Sequence, residues 1–147
     1  MKKRDFLPTG FLSFIITAVV IYLSLASNPL DVNSYTFFPG FDKVAHALMY
    51  FGCVVVYLFD YTKYKSPHHT KLNVELVLSA YAAVMGMFLE IAQLGLTTCR
   101  EFEFTDCLAN AVGAVLGFLV MRFWGIRFVR HHVLHLRHSH HHHSHVD

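Results

Sequence analysis

The sequence predicts an all-α, polytopic membrane protein whose four transmembrane helices form a compact bundle. Of its 147 residues, 54% are hydrophobic and only 15% are charged, whereas a soluble domain of this length has about 25% charged residues. The apolar residues are concentrated in four blocks, and basic residues flank these blocks in an alternating pattern. The blocks comprise Gly10–Ala26, Val44–Phe59, Glu75–Leu96 and Leu108–Trp124.

We expect each block to span the membrane once, which takes about 17–25 mostly apolar residues. The first, third and fourth blocks are long enough alone, and the second becomes so when Phe41–Lys43 and Asp60–Tyr61 extend it. The first block ends in Ala-Ser-Asn-Pro, which only loosely resembles a cleavage site, so we interpret it as an uncleaved span. Short connections favour a four-helix bundle. Gly113 and Gly117 form a small-xxx-small pair, which allows another helix to approach the fourth one closely.

The basic residues predict the orientation of the four spans. Ten of the twelve Lys and Arg residues precede the first block, lie between the second and third, or end or follow the fourth. The other two are Lys43 and Arg100. Because cytoplasmic loops carry an excess of Lys and Arg, we expect both termini in the cytoplasm. The same rule places the segments of about residues 27–43 and 97–107 on the outer face.

Three of the spans carry polar residues that share one helix face, at spacings of three or four residues. An ionisable side chain at mid-membrane costs about 2.5–3.5 kcal/mol, so it needs a partner or a function. At a rise of about 1.5 Å per residue, these polar residues lie at a similar depth. They are Asp42, His46 and Tyr50 on the second span, Glu90 and Gln93 on the third, and Asp106 and Asn110 on the fourth. Together they predict a polar pocket in the outer half of the bundle that opens outward, with Arg100 at its mouth.

Structural roles for the same residues are the alternative. Asp42 and Asp106 are suited to be helix N-caps, and Lys43 is suited to be an interfacial charge with a buried stem. The candidates for charge pairing with Glu90 are His46, Arg100 and Lys43, and a His–Glu or Arg–Glu ion pair can serve only to hold the bundle together. The other polar side chains can serve as hydrogen-bonding groups between helices, namely Tyr50, Gln93 and Asn110.

Three motifs follow one another along the spans: Asp42-Lys43-x-x-His46-x-x-x-Tyr50, Glu90-x-x-Gln93, and Arg100-x5-Asp106-x3-Asn110-x2-Gly113-x3-Gly117. Jointly they resemble the VanZ-like family of small bacterial membrane proteins, and the resemblance covers about residues 10–124. The founding member of that family is associated with low-level resistance to the glycopeptide teicoplanin. The resemblance implies a multi-pass protein of the bacterial cytoplasmic (inner) membrane, with a VanZ-like four-helix domain over residues 1–127.

The position and chemistry of the pocket predict that the protein binds or modifies a cell-envelope molecule of the outer leaflet. A lipid-linked or phosphate-bearing molecule would suit both the apolar surroundings and the hydrogen-bond donors. The resemblance to the VanZ-like family implies that such an activity would affect teicoplanin susceptibility. The sequence leaves catalysis open, and an enzyme of this kind would be an intramembrane hydrolase or transferase acting on a lipid or lipid phosphate. The predicted substrate-binding residues are Lys43, Tyr50, Gln93, Arg100 and Asn110. The predicted catalytic residues are Asp42, His46, Glu90 and Asp106, with His46 as general acid or base.

A metal site and two other functional classes are further options. No cofactor is expected, but Asp42, His46, Glu90 and Asp106 could together hold a divalent ion such as Mg²⁺, Mn²⁺ or Zn²⁺. A proton- or ion-coupled transporter would use Glu90 and His46 as a relay, although polar residues are expected to become scarce below His46 and Asn110. A non-catalytic accessory membrane protein would use the polar residues only to lock the bundle.

The C-terminal segment, residues 128–147, is interpreted as a separate His-rich cytoplasmic tail that is disordered. The chain has 12 His residues, and nine of them lie between His131 and His145. Such a tract can bind transition metals, but the membrane would separate it from the polar pocket. A net charge of only +2 gives no support to nucleic-acid binding. The expected partners are membrane lipids or a lipid-linked envelope precursor, with a homo-oligomer as a further option.

Overall fold

A computed structural model gives the fold and describes residues 10–25, 40–65, 70–96 and 104–128. Within these ranges the chain forms four long helices and no strand. Helix α1 covers Phe11–Leu25, α2 Phe41–Lys65, α3 Leu72–Leu96 and α4 Phe104–Val120. A π-helical turn, Met121–Gly125, continues α4, and a last helical turn extends to Phe128. The predicted all-α bundle is confirmed.

Three helical segments are long and apolar enough to cross a membrane: Phe41–Lys63, Leu72–Gln93 and Phe104–Phe128. Helix α1 is also apolar but shorter, with 15 residues. Large hydrophobic side chains cover the outside of the bundle, which is typical of a surface in contact with lipid. Examples are Phe14, Val77 and Trp124, which are 73%, 66% and 74% exposed. The chain is therefore a multi-pass membrane protein.

The relative lengths of the helices differ from the lengths of the apolar blocks. The second block is the shortest in the sequence, yet α2 has 25 residues and is as long as α3. Polar residues at its two ends are helical because they bind neighbouring segments: Lys43 contacts α4, Asp60 contacts α1, and Tyr61 accepts from the backbone N–H of Lys71. Hydropathy therefore underestimates the length of a helix whose polar ends take part in packing.

Helix α2 packs most extensively against α4, and two glycines of α4 make this close contact possible. A Cβ atom at Gly113 would overlap the backbone carbonyl of Ala47. One at Gly117 would lie 2.8 Å from the carbonyl oxygen of Phe51. The predicted role of the two glycines in close helix approach is confirmed. The contact also fixes how far apart α2 and α4 lie at the residues just before these glycines on α4 and just before Ala47 on α2.

The apolar core lies along one face of α2. Cys53, Val54 and Leu58 of this helix are completely buried. They belong to one core cluster with Val20 of α1 and Ala114 of α4. Like α3, helix α2 contacts all three other helices, and its contacts are the more extensive. It therefore positions the polar residues near its N-terminus against neighbours on more than one helix.

Both chain termini, residues 1–9 and 129–147, lie outside the described residues. Three expectations stay predictions. They are the cytoplasmic location of the termini, the domain boundary between residues 127 and 128, and the disorder of the His-rich tail.

Candidate functional site

A buried contact between His46 and Glu90 joins α2 to α3. Nδ1 of His46 lies 3.0 Å from Oε1 of Glu90, and the two side chains are only 7% and 6% exposed. The oxygen lies off the direction of the ring N–H, so the pair is close without forming an aligned hydrogen bond. A buried carboxylate needs a nearby positive charge. His46, when protonated, is placed to supply that charge to Glu90.

Two further carboxylates, Asp42 and Asp106, lie close to His46. Nε2 of His46 lies 3.7 Å from Oδ1 of Asp42, one helical turn earlier on α2. Asp106 of α4 is buried, and its Oδ1 lies 3.4 Å from Nζ of Lys43. The side chain of Lys43 is 40% exposed, so its ammonium group lies at the edge of the site. These contacts join α2 to α4 at the level where the His46–Glu90 pair joins α2 to α3.

Asn110 is completely buried one helical turn below Asp106 on α4. Neither Nδ2 nor Oδ1 of its amide has a hydrogen-bond partner within the described part of the chain. The amide lies beside the ring of Tyr50 and against Gly86 of α3, where an added Cβ would come within 3.0 Å of Nδ2. A buried amide without partners is rare and costs about 1–3 kcal/mol. Its position therefore points to a bound group or water that completes its hydrogen bonds.

Tyr50 and Gln93, two of the predicted binding residues, make contacts with α1. Tyr50 is 1% exposed, and its hydroxyl lies near the side chain of Ser24. Nε2 of Gln93 donates to the backbone oxygen of Ser24 at 2.6 Å. Both residues thus attach α1 to the site, which helical spacing alone did not predict. Arg100 lies outside the described residues, so its place at the mouth of the pocket stays a prediction.

Six residues from three helices meet at this end of the bundle, and we call them the polar cluster. The structure brings together all four predicted catalytic residues and two of the predicted binding residues. Their catalytic and binding roles stay predictions. The members are Asp42, Lys43 and His46 of α2, Glu90 of α3, and Asp106 and Asn110 of α4.

The VanZ/LLP1 family matches residues 5–125. The chain belongs to the VanZ/LLP1 family. All three motifs on which the resemblance rests fall inside the matched range. No curated protein and no solved structure matches significantly. Family membership therefore confirms the assignment as a VanZ-like membrane protein.

This VanZ/LLP1 protein has further buried polar contacts at the opposite end of the bundle, where α2 ends and α3 begins. Oδ2 of Asp60 accepts hydrogen bonds from N and Oγ of Ser13, at 2.9 and 2.7 Å. Nη1 of Arg122 lies 3.1 Å from Oε2 of Glu75, which is completely buried. Polar residues therefore recur at the end of the bundle opposite the polar cluster, and the expectation that they become scarce directly below the cluster stays a prediction.

The four residues predicted as an optional metal site divide into two groups. Asp42, His46 and Asp106 each offer one ligand atom, and these atoms lie within 4.8 Å of one another. Glu90 contacts Nδ1 of His46 and lies outside this group. Among the residues that the structure describes, the set that could hold a divalent ion therefore has three members instead of four.

Proposed function

We propose that this VanZ/LLP1 protein binds a lipid-linked or phosphate-bearing molecule of the cell envelope through the polar cluster, and thereby affects susceptibility to glycopeptides such as teicoplanin. The orientation predicted from the basic residues would place the cluster in the outer half of the bacterial cytoplasmic membrane. A molecule of the outer leaflet would be available at that depth. The apolar surface of the bundle suits its lipid tail, and the polar cluster suits its head group.

The main support for this proposal is the amide of Asn110, which has no hydrogen-bond partner among the residues that the structure describes. A head group with a phosphate or hydroxyl offers an acceptor for Nδ2 and a donor for Oδ1. Lys43, at the exposed edge of the cluster, is placed to bind phosphate oxygens of the same molecule by charge-assisted hydrogen bonds. A cluster that served only to hold the helices together would be expected to pair the amide of Asn110 within the bundle.

The same geometry would support catalysis on a lipid or lipid phosphate. His46 lies between Glu90 near Nδ1 and Asp42 near Nε2, so one carboxylate can orient the ring while the other nitrogen exchanges a proton with the substrate. Lys43 and, from its predicted position, Arg100 would stabilise negative charge on phosphate oxygens. The reaction would then be that of a hydrolase or transferase.

Replacing Asn110 with leucine should stabilise the protein and weaken ligand binding. Leucine has about the same size but no polar atoms, so the variant avoids the cost of about 1–3 kcal/mol for a buried, unpaired amide. Thermal unfolding of the purified protein, followed by circular dichroism, should show a higher midpoint. Binding of a polyprenyl phosphate in nanodiscs should weaken at least about tenfold, which corresponds to about 1.4 kcal/mol.

Gln93→Leu is the matched control for this experiment. It also removes a buried amide, but one that donates to the backbone of Ser24, so its unfolding midpoint should fall. A polyprenol without the phosphate group controls for binding of the lipid tail. If Asn110→Leu unfolded at a lower temperature than the wild type, its amide would be paired within the bundle and the proposal would lose its main support.

The cellular role is tested with His46→Ala, Glu90→Gln and Arg100→Ala, each expressed at the wild-type level. We expect each substitution to remove the effect of the protein on teicoplanin susceptibility, because each removes a charge or a proton-exchanging group from the proposed site. Asp60→Asn, at the opposite end of α2, should keep the effect. Full effect in all three variants would exclude the polar cluster as the functional site.

Proton- or ion-coupled transport is the second candidate, and it is favoured by a second group of polar contacts between α1 and α2, nearer the opposite end of the bundle. The hydroxyls of Thr17 and Tyr57 lie 2.6 Å apart, and Thr17 donates to the backbone oxygen of Ser13. The hydroxyl of Ser13 in turn donates to Asp60. Proton flux into liposomes that is lost in Glu90→Gln would favour a carrier. If neither flux nor lipid binding depended on Glu90, an accessory role would be the better explanation.

A further inference from the structure

We propose that Asp42, His46 and Asp106 bind a divalent cation within the polar cluster. Their ligand atoms, one from each side chain, lie within 4.8 Å of one another. Metal–ligand bonds of about 2.0–2.4 Å place two ligand atoms of one ion no farther apart than about 4.8 Å. Two carboxylate oxygens and one imidazole nitrogen form a set that suits Mn²⁺, Mg²⁺ or Zn²⁺. Three protein ligands would leave coordination positions for water or for a phosphate oxygen.

The orientation of His46 agrees with metal binding. Nδ1 lies 3.0 Å from Glu90, and Nε2 lies 3.7 Å from Asp42. Glu90 can therefore hold the ring from one side while Nε2 faces a carboxylate that belongs to the same group of ligands. Histidines that bind metals usually have a carboxylate or carbonyl on the second ring nitrogen, which fixes the tautomer and the ring orientation. Glu90 is thus a positioning residue in the proposed site.

Asn110 provides a second, independent observation that points to a ligand at this place. It is completely buried one turn below Asp106 on the same face of α4, and its amide has no partner among the residues described. The amide lies beside Tyr50, which is itself one turn below His46 on α2. A water molecule bound to the cation would lie between these two levels. Such a water could donate to Oδ1 of Asn110 and complete a hydrogen bond that the bundle leaves open.

The charges of the cluster also favour a cation. Glu90 and Asp106 are buried carboxylates, and burial makes them dependent on nearby positive charge. Lys43 approaches Asp106 to only 3.4 Å from a partly exposed position, so a cation can replace it there. The ammonium group of Lys43 could then also contact a phosphate. In that arrangement the cation bridges the carboxylates and the phosphate of the ligand, a role that rests on the function proposed above.

Mn²⁺ binding tests the cation site directly. The full chain in phosphatidylcholine nanodiscs is titrated with Mn²⁺, and the free ion is measured by electron paramagnetic resonance. Wild-type protein should bind one ion more than His46→Gln and Asp106→Asn. Glu90→Gln should keep this ion with an affinity lower by about 10–100-fold. Asp42→Asn adds a variant at a half-exposed position, and its unfolding midpoint, compared with that of the wild type, separates a loss of binding from misfolding.

Asp60→Asn is the matched control, because it neutralises a carboxylate at the other end of α2 and should bind Mn²⁺ like the wild type. The His-rich tail is present in every variant, so ions that it binds cancel in the comparison. Equal Mn²⁺ binding by wild type, Asp42→Asn and Asp106→Asn would overturn the proposal.

The affinity for a polyprenyl phosphate, measured with Mn²⁺ and with EDTA, separates the cation site from the proposed function. We expect tighter lipid binding with Mn²⁺. Lipid binding that is equal under both conditions would overturn the bridging role and leave the proposed function standing. Mn²⁺ binding without any binding of the lipid phosphate would support the cation site and reject the proposed function.

Discussion

Replacing Arg122 with alanine should lower the free energy of unfolding by about 3 kcal/mol, because it leaves the carboxylate of Glu75 buried without its cation. Nη1 of Arg122 lies 3.1 and 3.3 Å from the two carboxylate oxygens, and Glu75 has no exposed surface. Breaking such a pair costs about 3–5 kcal/mol. The lower end of that range is expected because the side chain of Arg122 is 39% exposed. Thermal or denaturant-induced unfolding in detergent measures the loss.

Two variants distinguish this pair from a general effect of removing an arginine. Arg127→Ala removes an exposed arginine from the same end of the helix and should change stability by less than about 0.5 kcal/mol. Adding Glu75→Gln to Arg122→Ala should restore part of the stability, because no buried charge then remains. The Arg122→Ala variant, where it is folded, should still bind Mn²⁺. Equal unfolding midpoints for Arg122→Ala and Arg127→Ala would show that Glu75 does not depend on Arg122.

The Glu75–Arg122 pair is a feature of this fold that could not be predicted from the sequence. The four helices could be predicted from hydropathy, since an apolar segment in lipid must satisfy its own backbone hydrogen bonds. Glu75 begins the third apolar block and Arg122 lies near the end of the fourth, so their positions suggest charges at the membrane surface. Their contact depends on the rotation of both helices and on the π-helical turn that begins at Met121 and changes the direction of the following side chains. No local pattern encodes either feature.

More of the contacts in the polar cluster than in the Glu75–Arg122 pair could be predicted from the sequence. The 3.6-residue repeat is enough to place Asp42 with His46 on one face, and Asp106 with Asn110 on another. Pairing across helices depends on helix rotation as well. The sequence left Lys43 open as a partner of Glu90, whereas the structure pairs it with Asp106. The close approach of α2 and α4 brings these two residues together.

Replacing Gly113 with alanine should destabilise the bundle and also weaken cation binding, because this glycine sets the distance between α2 and α4. The added Cβ would overlap the backbone carbonyl of Ala47, which cannot turn away as the end of a side chain can. The helices must then separate, and overpacking of this kind costs about 1–3 kcal/mol, occasionally more. Ala47 directly follows His46, so the same shift would move His46 away from Asp106. Thermal unfolding and Mn²⁺ titration measure the two effects separately.

Other glycines separate the close contact from the general effect of glycine on a helix. Gly52 of α2 and Gly95 of α3 have no atom within 4 Å of an added Cβ. Alanine at Gly52 should therefore be neutral or stabilise the protein by up to about 1 kcal/mol, through its higher helix propensity. A Cβ at Gly117 would lie 2.8 Å from the carbonyl oxygen of Phe51, a milder clash than that at Gly113. Mn²⁺ affinity should thus fall most in Gly113→Ala, less in Gly117→Ala and not at all in Gly52→Ala. Equal affinities in all three would mean that the α2–α4 contact does not position the ligand atoms.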